Sequence, residues 1–405
     1  MTYTTRGGET WETISRRVYG NEASAERLRM ANPGKVEPFL AGEEIITPQS
    51  PQLNFSARRN QQDPREVVLY IDGAEYPFWT EIQITRSRDG ISTAQFAAPF
   101  DANNANFRRI FEPFSYRDVV VTLKGAPLFT GTLMQVNPTL SELRVISASC
   151  YGRPGVLNDC CAAQMPESYE FNGRNLAEIT ASLCAPFGVS VVSLLEDDPV
   201  FEEIQIEPTK KVWGFLSELA SQRNVVLRDN EDGALVIEQA KPKNGIAAAL
   251  EEGQHPLLSV TPIFNAQEFY SHITAWTDTD FGDDGEKYTV KNPFSSVFRP
   301  YSFKVPDAEP GEAINAAQAK LGRMLANSAQ YSASLSTIYD QNGQVFAPSA
   351  PVQVTAPSAM IYRPTVLECR SVRLSFTPAT SVADVELVFP GSLAGKMPGE
   401  LPWLG

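Results

Sequence analysis

The sequence predicts a mainly β protein with an α+β portion, and three features of its 405 residues lead to that prediction. Short β-rich runs separated by turn residues recur through two long stretches, 66–151 and 241–390. Helical periodicity is confined to a few segments. The 30 prolines and 26 glycines favour many turns over long helices. The chain is long enough for two to four domains with their own cores.

The segment from Lys211 to Gln239 predicts a helix, a strand, a turn and a second strand. Thr209 stands where an N-cap would stand. The strands are predicted at Val225–Leu227 and Ala234–Ile237, around a polar turn ending at Gly233, which tolerates positive φ. A generic helix-and-hairpin unit accounts for this pattern as well as a more specific structure does. The apolar face of the helix, at i, i+3, i+4 and i+7 spacing, carries Val212, Phe215, Leu216 and Leu219.

The residues of this segment carry a family resemblance. The pattern V-W-x-F-L-x-x-L-A-x-x-R, followed by a strand and the run D-N-E-D-G-A-L-V-I, resembles the small α/β domain of phage baseplate hub proteins of the Mu-like, late-control-D type. Those proteins are similar to the spike-base barrels of type VI secretion. The resemblance implies a small α/β domain over 152–240, inserted between tube-type β-barrel domains at 66–151 and 241–390. Residues 391–405 then form a C-terminal tail.

The first 50 residues predict a separate module with the order strand, helix, helix, strand. Thr10 is the predicted N-cap of the first helix, and Gly20 is predicted to end it. The second helix is predicted from Ala25 to Ala31 and the closing strand from Glu44 to Thr47. The apolar face of the first helix carries Trp11, Ile14 and Val18.

Three motifs of this module, which spans 1–50, resemble the LysM fold: G-E-T-x-x-x-I-S at 8–15, A-N-P at 31–33 and L-x-G-E-x-I-x-x-P at 40–48. LysM modules of secreted enzymes bind peptidoglycan, whereas LysM-like proteins of contractile tails clamp baseplate parts. Both roles stay open, and we favour docking. Residues 51–65, rich in Gln, Asn, Ser and Pro, predict a linker. The arginines predicted to form a solvated docking face are Arg16, Arg17, Arg27 and Arg29.

The first β-rich stretch predicts a barrel or a strongly bent sheet with one wet face. Asn137-Pro138 is a predicted turn, and one helical turn is predicted within 103–111. The predicted strands are Glu66–Asp72, Thr80–Ser87, Thr93–Ala98, Asp118–Lys124, Leu128–Val136 and Leu143–Cys150.

The remaining predicted elements follow the same reasoning. The α/β domain has a further helix from Asn175 to Phe187, ended by Gly188, and a strand over Val189–Val192. The second β-rich stretch contains one long helix, Pro310–Asn327, with Ile314, Leu321 and Leu325 predicted to face inward. Its predicted strands are Leu258–Phe264, Glu268–Thr277, Glu286–Lys291, Gln330–Tyr339, Pro351–Ala356, Glu368–Phe376 and Ala383–Phe389.

Patterns that carry chemistry are sparse, so we predict no catalytic, cofactor or metal site. His255 and His272 lack an H-x-x-x-H or H-E partner and are predicted to be structural. No nucleotide-binding or nucleophile motif occurs. A glycosidase carboxylate pair follows no spacing rule and stays open. The five cysteines, predicted to be reduced and partly buried, are Cys150, Cys160, Cys161, Cys184 and Cys369.

An acidic loop near residue 280 has enough oxygen ligands for calcium but lacks the EF-hand spacing, because Gly282 stands where a third ligand belongs. It is predicted to be a solvated hairpin tip. No apolar run is long enough for a membrane helix, and residues 1–11 lack the pattern of a signal peptide, so we expect assembly in the host cytoplasm. The loop residues are Asp278, Asp280, Asp283, Asp284 and Glu286.

The hub resemblance implies a structural role and not an enzyme: a homotrimer in the tail baseplate of a virion, joining the six-fold tail tube to the three-fold central spike and forming part of the DNA-conducting channel. The implied partners are the tail tube and central spike proteins, baseplate wedge or sheath-initiator proteins and the tape measure protein. The alternative is a tail-associated protein that binds or degrades peptidoglycan through the LysM-like module. The sequence leaves open whether the tail is contractile.

The charge of the chain bears on the channel. The net charge of -14 argues against sequence-independent binding of nucleic acid, because phosphate neutralisation needs a basic face. A like-charged wall lets DNA slide past. The candidate wall residues are Thr122, Gln135, Glu142 and Arg144 in the first stretch, and Thr274, Glu368 and Arg370 in the second.

Overall fold

The structure is a computed structural model, and it describes residues 2–19, 25–32, 34–47, 67–139, 144–162, 169–277, 287–305 and 310–404. The chain divides into two compact units, Met1–Gln62 and Asp63–Gly405. The predicted linker over 51–65 lies outside the described residues.

The first unit has the predicted order of strand, helix, helix and strand. Strand β1 (Thr2–Glu9), helix α1 (Trp11–Tyr19), helix α2 (Ala25–Ala31) and strand β2 (Phe39–Ile46) follow one another, and the strands pair antiparallel. Thr10 caps α1, because its Oγ1 accepts from the Thr13 backbone N at 3.4 Å while the Thr13 Oγ1 accepts from the Thr10 N at 2.7 Å. Gly20, the predicted helix stop, is not described. The core contains Trp11, Ile14, Leu28, Phe39 and Ile45.

The first β-rich stretch forms seven strands and one short helix. The predicted turn at Asn137-Pro138 is wrong: both residues extend strand β8 and pair with Ser147 and Ile146. Proline is tolerated there because β7 pairs with β8 only as far as Thr132, so this end of β8 has a paired neighbour on one side alone. The elements are β3 (Val67–Ile71), β4 (Ala74–Glu75), β5 (Glu81–Ser87), β6 (Thr93–Pro99), α3 (Ala105–Ile110), β7 (Asp118–Leu123), β8 (Ala126–Thr139) and β9 (Val145–Gly152).

The α/β portion follows as α4 (Val156–Asp159), β10 (Arg174–Asn175), α5 (Leu176–Cys184), β11 (Val191–Ser193), β12 (Val200–Phe201), α6 (Val212–Gln222), β13 (Val225–Asp229) and β14 (Leu235–Gln239). Strand β14 is the middle strand of a sheet, parallel to β11 and antiparallel to β13. Gly188 stops the segment after α5 at φ +67°, as predicted, and Gly233 has φ +82°.

The predicted N-cap at Thr209 is wrong. Helix α6 begins at Val212, after Lys211, which makes no side-chain cap. A neighbouring segment supplies the missing acceptor: the Val212 N donates to the Cys160 carbonyl at 3.1 Å, and Cys161 pairs with Lys211 in an isolated bridge. A backbone carbonyl distant in sequence therefore takes the place of a local cap.

The second β-rich stretch forms β15 (Ala248–Glu251), β16 (Leu257–Phe264), β17 (His272–Thr277), β18 (Lys287–Lys291), β19 (Pro300–Val305), α7 (Pro310–Ser328), β20 (Ala329–Leu335), β21 (Pro351–Ala356), β22 (Ile361–Phe376) and β23 (Ser381–Val388). The sequence did not predict β15 or β19. The strands β18, β17 and β19 form a small separate sheet that packs on α7.

Helix α7 buries Leu321 and Leu325 as predicted, but Ile314 is wrongly assigned to the inner face and is 40% exposed. The buried face is lined instead by small residues, Ala313, Ala316 and Ala317. Small side chains let the helix approach its neighbours closely. Side-chain size, more than hydrophobicity, therefore determines which face of the start of α7 is buried.

Thirteen strands of the second unit belong to one sheet, with the order β16, β20, β23, β22, β5, β6, β9, β8, β7, β3, β4, and with β21 and β15 added beside β22. The two β-rich stretches join where Ser371–Phe376 of β22 pairs antiparallel with Ile82–Ser87 of β5. The protein is mainly β, as predicted, and its two β-rich stretches share a continuous backbone ladder.

Candidate functional site

The segment after β5 lies where the two β-rich stretches meet the α/β portion, and we call residues 86–92 and their charged partners the junction. Arg88 is 2% exposed, and its Nη1 lies 2.6 Å from Oε1 of Glu368 in β22. Its Nη2 donates to the carbonyl of Lys241, after β14, at 2.8 Å. One buried side chain therefore links three regions of the fold.

A second ion pair crosses the same junction. The Asp89 Oδ2 lies 2.8 Å from Nη2 of Arg370, whose Nη1 donates to Oδ1 of Asn327 on α7 at 2.9 Å. Burial acts to raise the pKa of Asp89, but the hydrogen bonds and the charge of Arg370 outweigh it and hold that pKa below its ordinary value. Asp89 is therefore held in its charged form.

Buried carboxylates complete the junction. Asp229 Oδ1 of β13 accepts from both the backbone N of Ser92 at 2.9 Å and its Oγ at 2.7 Å. Burial raises the pKa of Asp229 and also that of Glu368, against the opposing charge of Arg88. Gly152 is required beside Asp229, because a Cβ at residue 152 would lie 1.9 Å from the Asp229 Oδ2.

The large sheet is branched and ends at three strands in the described residues, β16, β4 and β15. One edge is β16, where Leu258, Ile263 and Phe264 are exposed, Leu258 by 58%. Another end is β4, two residues long, beside β3. Long apolar edge strands offer unpaired backbone groups to another chain.

The structure places the predicted wall residues in different environments. Gln135 and Arg144 are exposed, and Thr274 is half-buried with its Oγ1 2.8 Å from that of Thr289. Glu142 lies outside the described residues. Arg370 is half-buried in the junction.

Two of the predicted wall residues are buried, so the prediction that they lie on a solvated face is wrong. Thr122 and Glu368 are each 3% exposed. Thr122 lies in β7, whose residues after Asp118 are all buried, so polar alternation did not mark a solvated face there. Glu368 is charged but turned inward to Arg88. The junction has no local signal in the sequence, because its partners are 137 to 281 residues apart.

The remaining predicted residues are accounted for as follows. His272 lies in β17 with its Nδ1 2.9 Å from the Ser271 Oγ, and His255 is exposed. All five cysteines are free, and three of them are buried. The acidic loop falls within 278–286, outside the described residues. In the described ranges no three His, Cys, Asp or Glu side chains are grouped to hold a metal ion.

The predicted arginine face of the first unit is exposed at Arg16, Arg17 and Arg29, while the side chain of Arg27 is not described. Arg17 forms an ion pair with Glu9, and Arg29 lies 3.6 Å from Glu37. Within the part of the chain that the structure describes, no helix has the length and apolar character to cross a membrane.

Comparison with known proteins gives one family match. Residues 154–239 match the family described as baseplate hub protein gp44-like, second domain. These residues run from the start of the α/β portion to the end of β14. No curated protein matches the chain.

Several solved structures share the fold. A 43 kDa tail protein of prophage MuSo2 from Shewanella oneidensis has a TM-score of 0.68 at 23% identity, covering 81% of this chain and 100% of that one. A tail protein from Neisseria meningitidis MC58 has a TM-score of 0.69 at 19% identity, covering 82% and 98%. An E. coli component of the type VI secretion system has a TM-score of 0.52 at 12% identity, covering 82% and 79%.

Proposed function

We propose that this chain is a structural hub protein of a phage or phage-derived tail, located in the baseplate of the virion and without catalytic activity. The observation that carries the proposal is the match of residues 154–239 to the second domain of gp44-like baseplate hub proteins. That domain lies within a fold similar, over about four-fifths of the chain, to two tail proteins. Fold alone does not give function, so the family match carries the greater weight.

The hub acts as a homotrimeric adaptor between the six-fold tail tube and the three-fold central spike. The unlike sheet edges at β16 and β4 support this proposal, because contact between different surfaces of successive copies builds a ring when the rotation closes. Two β-rich stretches per chain, each forming a tube-type barrel domain, would give a trimer six β units to present to the tube. The bore conducts DNA, and the net charge of -14 would limit phosphate binding to its wall.

The first unit is proposed to be a LysM-like module that docks on a neighbouring baseplate protein. Its strand, helix, helix, strand order and exposed arginines support the proposal. The alternative is a peptidoglycan-binding or peptidoglycan-degrading tail-associated protein. Incubating the purified chain with peptidoglycan distinguishes them: the hub proposal expects no release of soluble fragments and weak sedimentation with the wall.

Reconstitution tests the hub proposal itself. The full chain is mixed with the tail tube protein and the central spike protein of the same particle, and complexes are separated by size. We expect a complex that contains both partners. Replacing exposed edge residues by aspartate, Leu258→Asp with Ile263→Asp, should abolish assembly while the chain stays folded; Val297→Asp, at another exposed site, is the control. Failure of the wild-type chain to bind either partner would remove the proposal.

A further inference from the structure

A cleft of about 440 Å³ opens at the junction between the two β-rich stretches and the α/β portion. Its lining is unusually basic for a chain of net charge -14. Five cations line it, Arg86, Arg88, Arg228, Lys241 and Lys243, against three carboxylates, Asp229, Glu231 and Glu238. Arg88 is already paired with Glu368 behind the lining, so the local charge is about +1 if all of these groups are ionised.

The three carboxylates of the cleft are already engaged in its walls. Glu231 pairs with Arg86, and Glu238 Oε1 lies 2.9 Å from the Arg228 Nε. Asp229 accepts the two hydrogen bonds from Ser92. None of these three carboxylates therefore pairs with Lys241 or Lys243.

The two lysines lie on the segment after β14. Lys241 reaches Glu196 at 3.3 Å, but both side chains are more than half exposed, so this pair contributes little. Lys243 is exposed, and its charge acts on the carboxyl of Glu368 without direct contact in the described ranges. Both amino groups can therefore turn to an added anion at small cost.

Arg88 supplies the second, independent observation. Its two terminal nitrogens are engaged by Glu368 and the Lys241 carbonyl, yet its buried Nε has no hydrogen-bond partner. A buried N–H without an acceptor costs about 1–3 kcal/mol. Because Arg88 also lines the cleft, this unsatisfied donor belongs to a cationic residue that an acceptor in the cleft would contact.

We propose that this cleft binds an oxyanion, either free phosphate or a carboxylate carried by an acidic peptide segment. Guanidinium and ammonium groups donate to such oxygens in the strongest class of protein hydrogen bonds. The site lies among three regions that are distant in sequence, so the bound anion joins them and stabilises the folded second unit by mass action. This inference does not depend on the hub proposal.

Thermal unfolding of the full chain tests it. Inorganic phosphate is titrated at pH 7.5 with sodium chloride adjusted to constant ionic strength, and a tetraglutamate peptide is titrated in a parallel series. We expect a saturable rise in Tm with at least one of them. The double variant Lys241→Ala with Lys243→Ala should weaken that apparent affinity at least tenfold. The control Lys287→Ala with Lys291→Ala removes two exposed lysines from β18 and should leave it unchanged.

Each result has one reading. A rise with phosphate identifies free phosphate as a ligand, and a rise with the peptide alone identifies a carboxylate source. Equal rises in the wild type and both double variants would show a general ion effect and overturn the site. No rise with either anion would also overturn it, leaving solvent as the partner of Arg88. Arg88→Lys, which keeps the charge but loses the guanidinium, should bind more weakly than the wild type.

Discussion

Arg88 and Glu368 are 280 residues apart in the chain, and their side chains meet at 2.6 Å with exposures of only 3% and 4%. This ion pair fastens the loop after β5 to the strand that bridges the two β-rich stretches. Two charges have been taken out of water here, so the pair is costly to break from one side.

Replacing Arg88 by Met should destabilise the second unit by about 3–5 kcal/mol, because the Glu368 carboxyl is left buried without its cation. The measurement is urea denaturation followed by tryptophan fluorescence. The double variant Arg88→Met with Glu368→Leu should recover most of the loss. Arg363→Met, which breaks the exposed pair with Glu400, should cost less than about 1 kcal/mol. Equal losses in the two single variants would contradict this account.

Gly322 in α7 is predicted to be intolerant of even one methyl group. A Cβ there would lie 2.0 Å from the Ser392 carbonyl oxygen and 2.7 Å from the Gly395 Cα, so Gly322→Ala should cost about 1–3 kcal/mol through overpacking. The matched control is Gly214→Ala in α6, where nothing lies within 4 Å. That substitution should stabilise by up to about 1 kcal/mol. Thermal melts compare the two, and a stabilising effect at Gly322 would refute the packing argument.

The sequence predicted local structure well where the signal is local. Periodic apolar residues located α1, α5 and α6, and turn residues such as Gly188 located helix ends. The pattern failed where a distant segment decides. Thr209 does not cap α6 because the Cys160 carbonyl takes that role, and Ile314 is exposed because alanines pack more closely.

The junction could not be predicted for the same reason. Its members are single charged residues such as Arg88, Asp89 and Glu368, each of which appears in the sequence as an ordinary surface residue. Only the pairing of β22 with β5 brings them together. The family resemblance of residues 211–239, by contrast, lies in contiguous residues and agrees with the match over 154–239.

The Asp89 and Arg370 pair predicts a pH dependence. Because the pKa of Asp89 is lowered in the folded state, the pair stabilises the fold above the unfolded value of about 3.9, and that stability is lost as pH falls through the lower folded value. Asp89→Asn should therefore lose about 2 kcal/mol at pH 7. Its deficit relative to the wild type should shrink below about pH 4.

Denaturation midpoints at pH 7, 5 and 3 measure this dependence. Asp197→Asn removes an exposed carboxylate of the same type and should leave the free energy of unfolding within about 0.5 kcal/mol of the wild-type value. A deficit for Asp89→Asn that stays constant from pH 7 to pH 3 would show that the charge of Asp89 is not what stabilises the junction.

The first unit is predicted to fold without the second. Limited proteolysis should cut first within the linker, 51–65, a Pro, Gln and Asn-rich stretch, and both fragments should keep their own melting transitions. Trp11 is 2% exposed and packs edge-on against Phe39 at 4.6 Å. Trp11→Ala should cost the first unit about 3–5 kcal/mol and leave the transition of the second unchanged. A first cut within 66–151 would show that the boundary is misplaced.

The mass of the assembly that the purified chain forms in solution is the most direct test of the proposal that it is a trimeric hub. Analytical ultracentrifugation of the purified chain, alone and with the tail tube or central spike protein, should show three copies of the 44.5 kDa chain in one assembly. The edge variant with Leu258→Asp and Ile263→Asp should sediment as a folded monomer, and Val297→Asp should still assemble. A wild-type chain that stays monomeric and binds neither partner would contradict the account.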